Sequence, residues 1–146
     1  WNQVKSNIEN WLKYKSDKID FDVAVTVTNL SIFYLDELVD WCLDMKMNPY
    51  FIDVSWPDFY APSNLPNAVK NTINKKFNIY LYKEYIPPHV KDSMFGVLNS
   101  MNSKDFNRNS WDNFILKNKI LDNSRNQSFS NTFSELNELI IKNTVL

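Results

Sequence analysis

Two predicted β-strands carry small or polar side chains on one face, and these residues are the ones in the chain best suited to ligand binding. In the strands at 21–28 and 50–56, such residues alternate with apolar ones. The small or polar positions are Asp22, Ala24, Thr26, Thr28, Asp53 and Ser55. The apolar positions are Val23, Val25, Val27, Ile52 and Val54. A small polar face in a parallel sheet predicts a lumen that holds a ligand, although an edge strand facing water would show the same pattern.

The polar residues continue into the loops where the strands end, with Asn29 after the first strand and Trp56 at the end of the second. Ligand sites of parallel α/β folds lie at the carboxyl ends of strands. Asp53 needs either a ligand or an ion-pair partner on another strand, because a buried unpaired carboxylate is unstable. The aromatic segment Trp56, Phe59 and Tyr60 fits both a substrate wall and packing beneath the helical tail, and packing is the favoured interpretation.

Other residue types limit the chemistry. A chain whose one glycine is Gly96 cannot form a glycine-rich phosphate loop. Cys42 shares a helix face with apolar residues, which predicts a buried and unreactive thiol. His89 has no cysteine or acidic residue at ligand spacing, which predicts an exposed side chain and not a metal ligand. Asp122 and Arg125 lie three residues apart, which predicts either an ion pair on one helix face or docking of the tail onto the sheet.

Composition predicts one domain with a hydrophobic core, since the chain has 146 residues and 44% hydrophobic content. The formal net charge of -1 favours neither nucleic acid nor a membrane surface as a partner. No apolar run approaches the roughly 20 residues of a membrane span. A single cysteine excludes an internal disulfide and predicts a cytoplasmic protein. The sequence begins at Trp1 and not at Met, which predicts a fragment of a longer protein.

Hydrophobic periodicity predicts helices at 1–14 and 33–45, the second of which joins the two strands. The strands should therefore be parallel neighbours with a right-handed crossover. A further helix is predicted from Pro66 to about Tyr82, and only helices from Pro87 onward. The apolar stripes of this tail are Val90, Met94, Val97 and Leu98, then Phe106, Trp111, Phe114, Ile115 and Leu116, then Phe129, Phe133, Leu136, Leu139 and Ile140. Two strands are too few for a stable sheet, so we expect further strands to complete it.

The order of elements and three short motifs carry a family resemblance. The motifs are the strand end Thr26-Val27-Thr28 with the helix start Leu35-Asp36-Glu37-Leu38-Val39-Asp40-Trp41, the segment Asn64-Leu65-Pro66 with Lys70, and Leu121-Asp122-x-x-Arg125 with Phe129 and Phe133-Ser134-Glu135-Leu136. Together they resemble the C-terminal portion of radical SAM proteins. The subgroup that they resemble has a small C-terminal twitch or SPASM-like extension and includes forms that are frequent in phage and marine bacterial sequences. Its diagnostic CxxxCxxC motif would lie upstream and is not in this sequence.

The resemblance implies an α/β fold, the C-terminal fragment of a partial (β/α)6 TIM-like barrel at 1–62. An α-helical extension at 63–146 would follow, without cysteines for an auxiliary cluster. In such enzymes a 4Fe–4S cluster binds S-adenosylmethionine and cleaves it reductively to a 5′-deoxyadenosyl radical, which abstracts hydrogen from the substrate. The cluster ligands would belong to the N-terminal barrel half, which is the expected partner. This segment would hold no catalytic residue and no metal ligand, and the substrate stays open.

The resemblance also implies which residues contact S-adenosylmethionine: Thr26, Thr28, Asn29, Asp53, Ser55 and Trp56. Related sequences often have Asn at the position of Ser31, so whether Asn29 or Ser31 reaches the ligand is open. A hypothesis from another class is a non-catalytic α/β-helical protein-binding module. Such a module would use the aromatic loop, the helical tail and an exposed strand edge to bind a partner. A different parallel α/β enzyme is a third hypothesis.

Overall fold

Strands and helices alternate in the first part of the chain, and only helices follow. The computed structural model describes residues 1–144, with side chains up to residue 142. Within these residues the elements are α1 (Asn2–Leu12), β1 (Asp22–Val27), α2 (Leu35–Asp44), β2 (Asn48–Asp53), α3 (Asn67–Tyr80), α4 (Pro88–Met101), α5 (Arg108–Arg125), α6 (Phe129–Thr132) and α7 (Ser134–Thr144). Short 3-10 turns lie at Ile32–Tyr34, Asp58–Tyr60 and Pro62–Asn64. The predicted order of elements is confirmed, and α3 ends two residues before the predicted Tyr82.

The two strands pair in parallel, as predicted, and form a two-stranded sheet. The described residues therefore have a mixed α/β fold that is mostly helical and contains no closed barrel. The predicted second strand is displaced, because β2 begins at Asn48 and ends at Asp53. The extension predicted at 63–146 is helical where it is described, and residues 145 and 146 lie outside the described residues.

The predicted side-chain faces are correct for β1 and wrong for β2. Thr26 pairs with Ile52 in the register, and Val27 pairs with Asp53. Paired residues of neighbouring strands point to the same side of a sheet. Ile52 therefore lies on the exposed face beside Thr26, and Asp53 lies on the face of the buried Val27. The alternation in β2 could not reveal this, because Phe51, on the core side, is also apolar.

One hydrophobic core joins the sheet to the helices on both sides of residue 62. The buried residues of this core include Val25 and Val27 of β1, Leu35 and Val39 of α2, Ile73 and Phe77 of α3, Met94 and Met101 of α4, Phe114 of α5, and Leu136 and Ile140 of α7. The first tail stripe is confirmed, since all four of its residues are buried. The second stripe is too broad: Ile115 and Leu116 are largely exposed, because α5 lies on the surface and buries only a narrow face.

Polar contacts fasten α3 to α2 at the edge of this core. The Lys76 ammonium lies 2.7 Å from the Asp36 carboxylate and also donates to the Phe33 carbonyl. The Tyr80 hydroxyl donates to Asp40 at 2.6 Å. Burial and the adjacent Asp40 carboxylate raise the pKa of Tyr80, so it remains a hydrogen-bond donor at neutral pH. These bonds fix the packing of two helices that sequence periodicity alone does not orient.

A chain of aromatic rings connects the helical tail to the loops after the strands. Phe114 contacts the rings of Trp111, Phe129 and Tyr60 at centroid distances of 5.0, 6.1 and 6.1 Å. Asn107 caps the start of α5 by accepting from the Ser110 N–H, and Asn126 ends the helix in the left-handed conformation. Within the described residues, no helix is long and apolar enough to cross a bilayer.

Candidate functional site

Asn29 is fully buried at the carboxyl end of β1 and fastens the loop that follows β2. Its side-chain amide donates to the Phe59 carbonyl at 2.8 Å, and its backbone N–H donates to the Tyr60 carbonyl at 2.9 Å. Asn29 Oδ1 is buried and has no hydrogen-bond partner among the described residues. This side chain therefore positions the loop, and its Oδ1 atom is an unused hydrogen-bond acceptor among the described residues.

Thr28 and Ser31 bond to each other in the turn after β1. The Thr28 N–H donates to the Ser31 hydroxyl at 2.9 Å, and the Ser31 N–H donates to the Thr28 hydroxyl at 3.3 Å. Such reciprocal bonds are typical of turns rich in hydroxyl residues. Both hydroxyl groups serve the local backbone here, so neither Thr28 nor Ser31 stands as a free ligand contact.

The remaining candidates, Thr26, Asp53, Ser55 and Trp56, are exposed at the same end of the sheet. Thr26 and Asp53 lie on adjacent strands, one register step apart. The Val54 N–H donates to the Val27 carbonyl at 3.1 Å, which continues the pairing past β2. These polar groups therefore share the carboxyl ends of the strands, on an open sheet without a lumen, but the register places Thr26 and Asp53 on opposite faces of that sheet.

The aromatic loop divides into a packed part and an exposed part. Tyr60 contacts the rings of Phe59 and of Phe114 in the tail, and both loop residues pack against the hydrophobic core, which confirms the packing interpretation for them. Trp56 is 86% exposed, so the same interpretation is wrong for this residue. The loop is also fastened to α5, because the Ser110 hydroxyl donates to the Asp58 carboxylate at 2.7 Å.

A cleft of about 590 Å³ opens between this loop and the helical tail. Four segments line it: the turn after β1, the 3-10 turn at Asp58–Tyr60, α5, and the segment through α6. The lining residues are Leu30, Tyr60, Asn118, Leu121, Asp122, Arg125, Gln127, Phe129, Thr132 and Phe133. Its volume falls within the range of small-molecule sites.

For Asp122 and Arg125 of this cleft, the sequence predicts either an ion pair or docking of the tail onto the sheet, and the ion pair is wrong for the described residues. Asp122 Oδ2 accepts from the Phe129 N–H at 2.7 Å, so the carboxylate is directed toward α6. Among the described residues, Arg125 forms no ion pair. The Phe129 N–H competes with Arg125 for the Asp122 carboxylate, and it reaches that carboxylate only because α6 folds back onto α5. This competition explains why the predicted ion pair does not form.

Lys70, part of one family-like motif, is a buried cation. Its ammonium donates to the Lys104 carbonyl at 2.8 Å and so fastens the loop between α4 and α5. Burial lowers the pKa of Lys70, and the nearby Asp105 carboxylate opposes this shift. The hydrogen bond explains the residue as a structural support of the tail.

Cys42 and His89 lie as predicted. Cys42 is fully buried in α2, and His89 is exposed at the start of α4. Burial raises the pKa of the Cys42 thiol to about 11. Within residues 1–144, no cluster of three or more histidine, cysteine or acidic residues could hold a metal ion.

We expect the Cys42 thiol to react with iodoacetamide far more slowly in the folded protein than in urea. The thiolate is the reactive form, and the unfolded thiol ionises near pH 8.5. The stability that the protonated native thiol contributes is complete below that pH and is lost as pH rises toward about 11. Alkylation rates measured from pH 7 upward, with and without urea, test this. Equal rates in both conditions would contradict it.

Comparisons with protein-family models, curated proteins and solved structures find no match to this chain. The sequence motifs contain Asp122, Arg125, Phe129 and Phe133, but sequence reasoning did not predict a cleft around them. The helical spacing of these residues is the signal in the sequence, and it predicts core packing for the aromatic pair and an ion pair for the charged pair.

Proposed function

We propose that this chain is the C-terminal part of a radical SAM enzyme, in which it completes the barrel and contributes polar groups to the S-adenosylmethionine pocket. One observation carries the proposal: the free edge of β1 lies beside an apolar face of α1 on which Val4 and Trp11 are exposed. A further strand placed there would extend the sheet and cover the helix. This is the arrangement expected where a larger α/β sheet continues.

One edge of β1 is hydrogen-bonded to β2, and its other edge has no neighbouring strand among the described residues. The Phe21 and Val27 carbonyls accept from β2 and its extension, at 3.2 and 3.1 Å. Alternate residues of a strand direct their backbone groups to opposite edges, so Asp22 and Ala24 direct theirs away from β2. Within residues 1–144, no group bonds to the backbone of these two residues on that edge. Such an edge is a template for another strand.

The apolar face of α1 supports the same proposal. This helix buries none of its described side chains, and Trp11 is 62% exposed. A groove of about 270 Å³ separates Ile8 and Trp11 of α1 from Phe21 and Val23 at the start of β1. An amphipathic helix with exposed residues on its apolar face is unusual in a complete domain, because the apolar stripe of such a helix normally packs on the core.

The residues at the strand ends suit some of the polar groups of S-adenosylmethionine, the ligand that the proposal requires. Thr26 and Asp53 are exposed there, on opposite faces of the sheet, and the buried Asn29 Oδ1 has no hydrogen-bond partner among the described residues. Hydroxyl and carboxylate groups suit the ribose and the ammonium group of S-adenosylmethionine. When bound to a cluster, S-adenosylmethionine supplies a radical that abstracts hydrogen. The cluster ligands must lie elsewhere, since Cys42 is the single cysteine and is buried.

The test begins with the coding DNA upstream of Trp1. We expect an open frame that encodes CxxxCxxC, and a full-length protein that binds iron and sulfide and releases 5′-deoxyadenosine. In that protein, Asp53→Asn should weaken S-adenosylmethionine binding by about tenfold, since a charge-assisted hydrogen bond contributes about 1.5–3 kcal/mol. Asp44→Asn is the matched control, because Asp44 is an exposed carboxylate at the opposite end of the sheet. An upstream frame without the cysteines would contradict the proposal.

A second candidate, the non-catalytic protein-binding module, is favoured by apolar exposure on the open face. Tyr50 and Ile52 are about half exposed there, and Trp56 projects into solvent nearby. A partner that covers these residues would bury a patch typical of protein interfaces. Residues 1–146 produced alone distinguish the candidates: a self-sufficient module unfolds cooperatively as a monodisperse species, whereas part of a barrel aggregates or unfolds without a clear transition.

A further inference from the structure

The cleft between the aromatic loop and the tail has walls that are fixed before any ligand binds. Tyr60 is held by the backbone bond to Asn29 and by its ring contact with Phe114. On the other side, Phe129 contacts both Phe114 and Phe133, at centroid distances of 6.1 and 5.6 Å. Rings held by several neighbours lose little freedom on binding, so they form a preorganised apolar surface.

Opposite charges stand at one side of this apolar surface without pairing. Asp122 and Arg125 lie three positions apart in α5, so their Cβ atoms are roughly 5–6 Å apart. The Phe129 N–H occupies one Asp122 oxygen, and the Arg125 guanidinium forms no ion pair in the described part of the chain. Asn118 and Gln127 add side-chain amides to the same lining.

We infer that this cleft binds a small zwitterion with an apolar side chain, of the class of leucine or phenylalanine. The ligand carboxylate would bind Arg125, its ammonium group would bind Asp122, and its side chain would lie against Tyr60 and the Phe129 ring. Ammonium and carboxylate groups on one carbon atom can reach two charges on neighbouring positions of one helix face. Arginine also suits a carboxylate because its planar guanidinium can donate two parallel hydrogen bonds.

The charges argue against simpler ligands. An apolar anion would gain Arg125 but would meet the Asp122 carboxylate, and an apolar cation would meet the opposite conflict. A neutral apolar molecule would gain from neither charge, since Asp122 keeps its bond to the Phe129 N–H and Arg125 is exposed. A ligand with both charges uses the polar and the apolar parts of the lining together. The inference concerns this cleft alone and does not depend on the proposed radical SAM activity.

The probes are L-phenylalanine and L-leucine, titrated into the full-length protein and followed by amide chemical shifts of the Gln127 and Phe129 N–H groups. We expect saturable binding at these amides. Two analogues that each lack one charge, hydrocinnamate and phenethylamine, should bind about tenfold more weakly than L-phenylalanine, as loss of one ion pair in a partly exposed site implies.

Matched variants assign each charge. Arg125→Gln should abolish the preference for L-phenylalanine over phenethylamine, which lacks the carboxylate. Asp122→Asn should abolish the preference over hydrocinnamate, and its amide oxygen can still accept from the Phe129 N–H. Arg108→Gln is the control, because Arg108 lies at the far end of α5 and pairs with Asp112 at 2.9 Å. Thr132→Trp should block the cleft and remove binding altogether.

Three results would overturn the inference. The first is no saturable shift with either amino acid up to millimolar concentrations. The second is equal affinity for L-phenylalanine and both analogues, which would assign binding to the apolar surface alone. The third is equal effects of Arg125→Gln and Arg108→Gln, which would make the contribution of Arg125 a general charge effect.

Discussion

Phe114→Ala should lower the free energy of unfolding by about 3–5 kcal/mol, the largest loss that we expect from one substitution. Phe114 is 1% exposed and contacts the rings of Trp111, Phe129 and Tyr60. Its removal leaves a cavity where α5, α6 and the loop after β2 meet. Because domains of this size are stable by about 5–15 kcal/mol, such a loss is a large fraction of the stability of the protein. Urea unfolding followed by circular dichroism measures it.

The control for this substitution is Phe95→Ala, which removes the same side chain from an exposed position. Phe95 is 45% exposed on α4, so we expect a loss below about 1 kcal/mol. If Phe114→Ala does not fold, Phe114→Leu retains most of the apolar volume and should lose about 1–2 kcal/mol. Equal losses for Phe95→Ala and Phe114→Ala would contradict the central role of this ring.

Asn29→Ala should lower the free energy of unfolding by about 2 kcal/mol, because it leaves the Phe59 carbonyl without its donor. The backbone bond from the Asn29 N–H to the Tyr60 carbonyl remains, so the loop is loosened and not released. Since Tyr60 lines the cleft, binding of L-phenylalanine should weaken in parallel. Urea unfolding and the amide titration described above measure the two effects.

Two further variants test the reason for this loss. Asn29→Asp retains the shape but replaces the donor with an acceptor that faces a carbonyl, so it should be at least as destabilising as Asn29→Ala. Asn123→Ala changes an exposed asparagine of α5 and should change stability by less than about 0.5 kcal/mol. A neutral effect of Asn29→Ala would show that the hydrogen bond to Phe59 contributes little.

Hydrophobic periodicity predicted secondary structure correctly wherever one face of an element is buried and the other is exposed to solvent. It predicted α2, α3 and the all-helical tail, and it placed the buried Cys42 correctly. It also predicted α1, which buries none of its described side chains. It was less reliable where both faces of a segment are apolar. In β2, Phe51 and Ile52 both suit a core, and only pairing with β1 decides that Ile52 is exposed.

The sequence by itself determined the order of elements, the parallel pairing and the polar character of the strand ends, because these depend on local spacing and on a short helical connection. Only the tertiary structure decided the roles of Asn29, Asp122 and Arg125. Each role depends on a backbone group that folding brings within hydrogen-bond distance: the Phe59 carbonyl for Asn29, and the Phe129 N–H that directs Asp122 toward α6 without pairing with Arg125. Side-chain spacing along one helix carries no information about partners in other segments. Asp122 and Arg125, which the spacing predicts as an ion pair, therefore line a cleft without pairing.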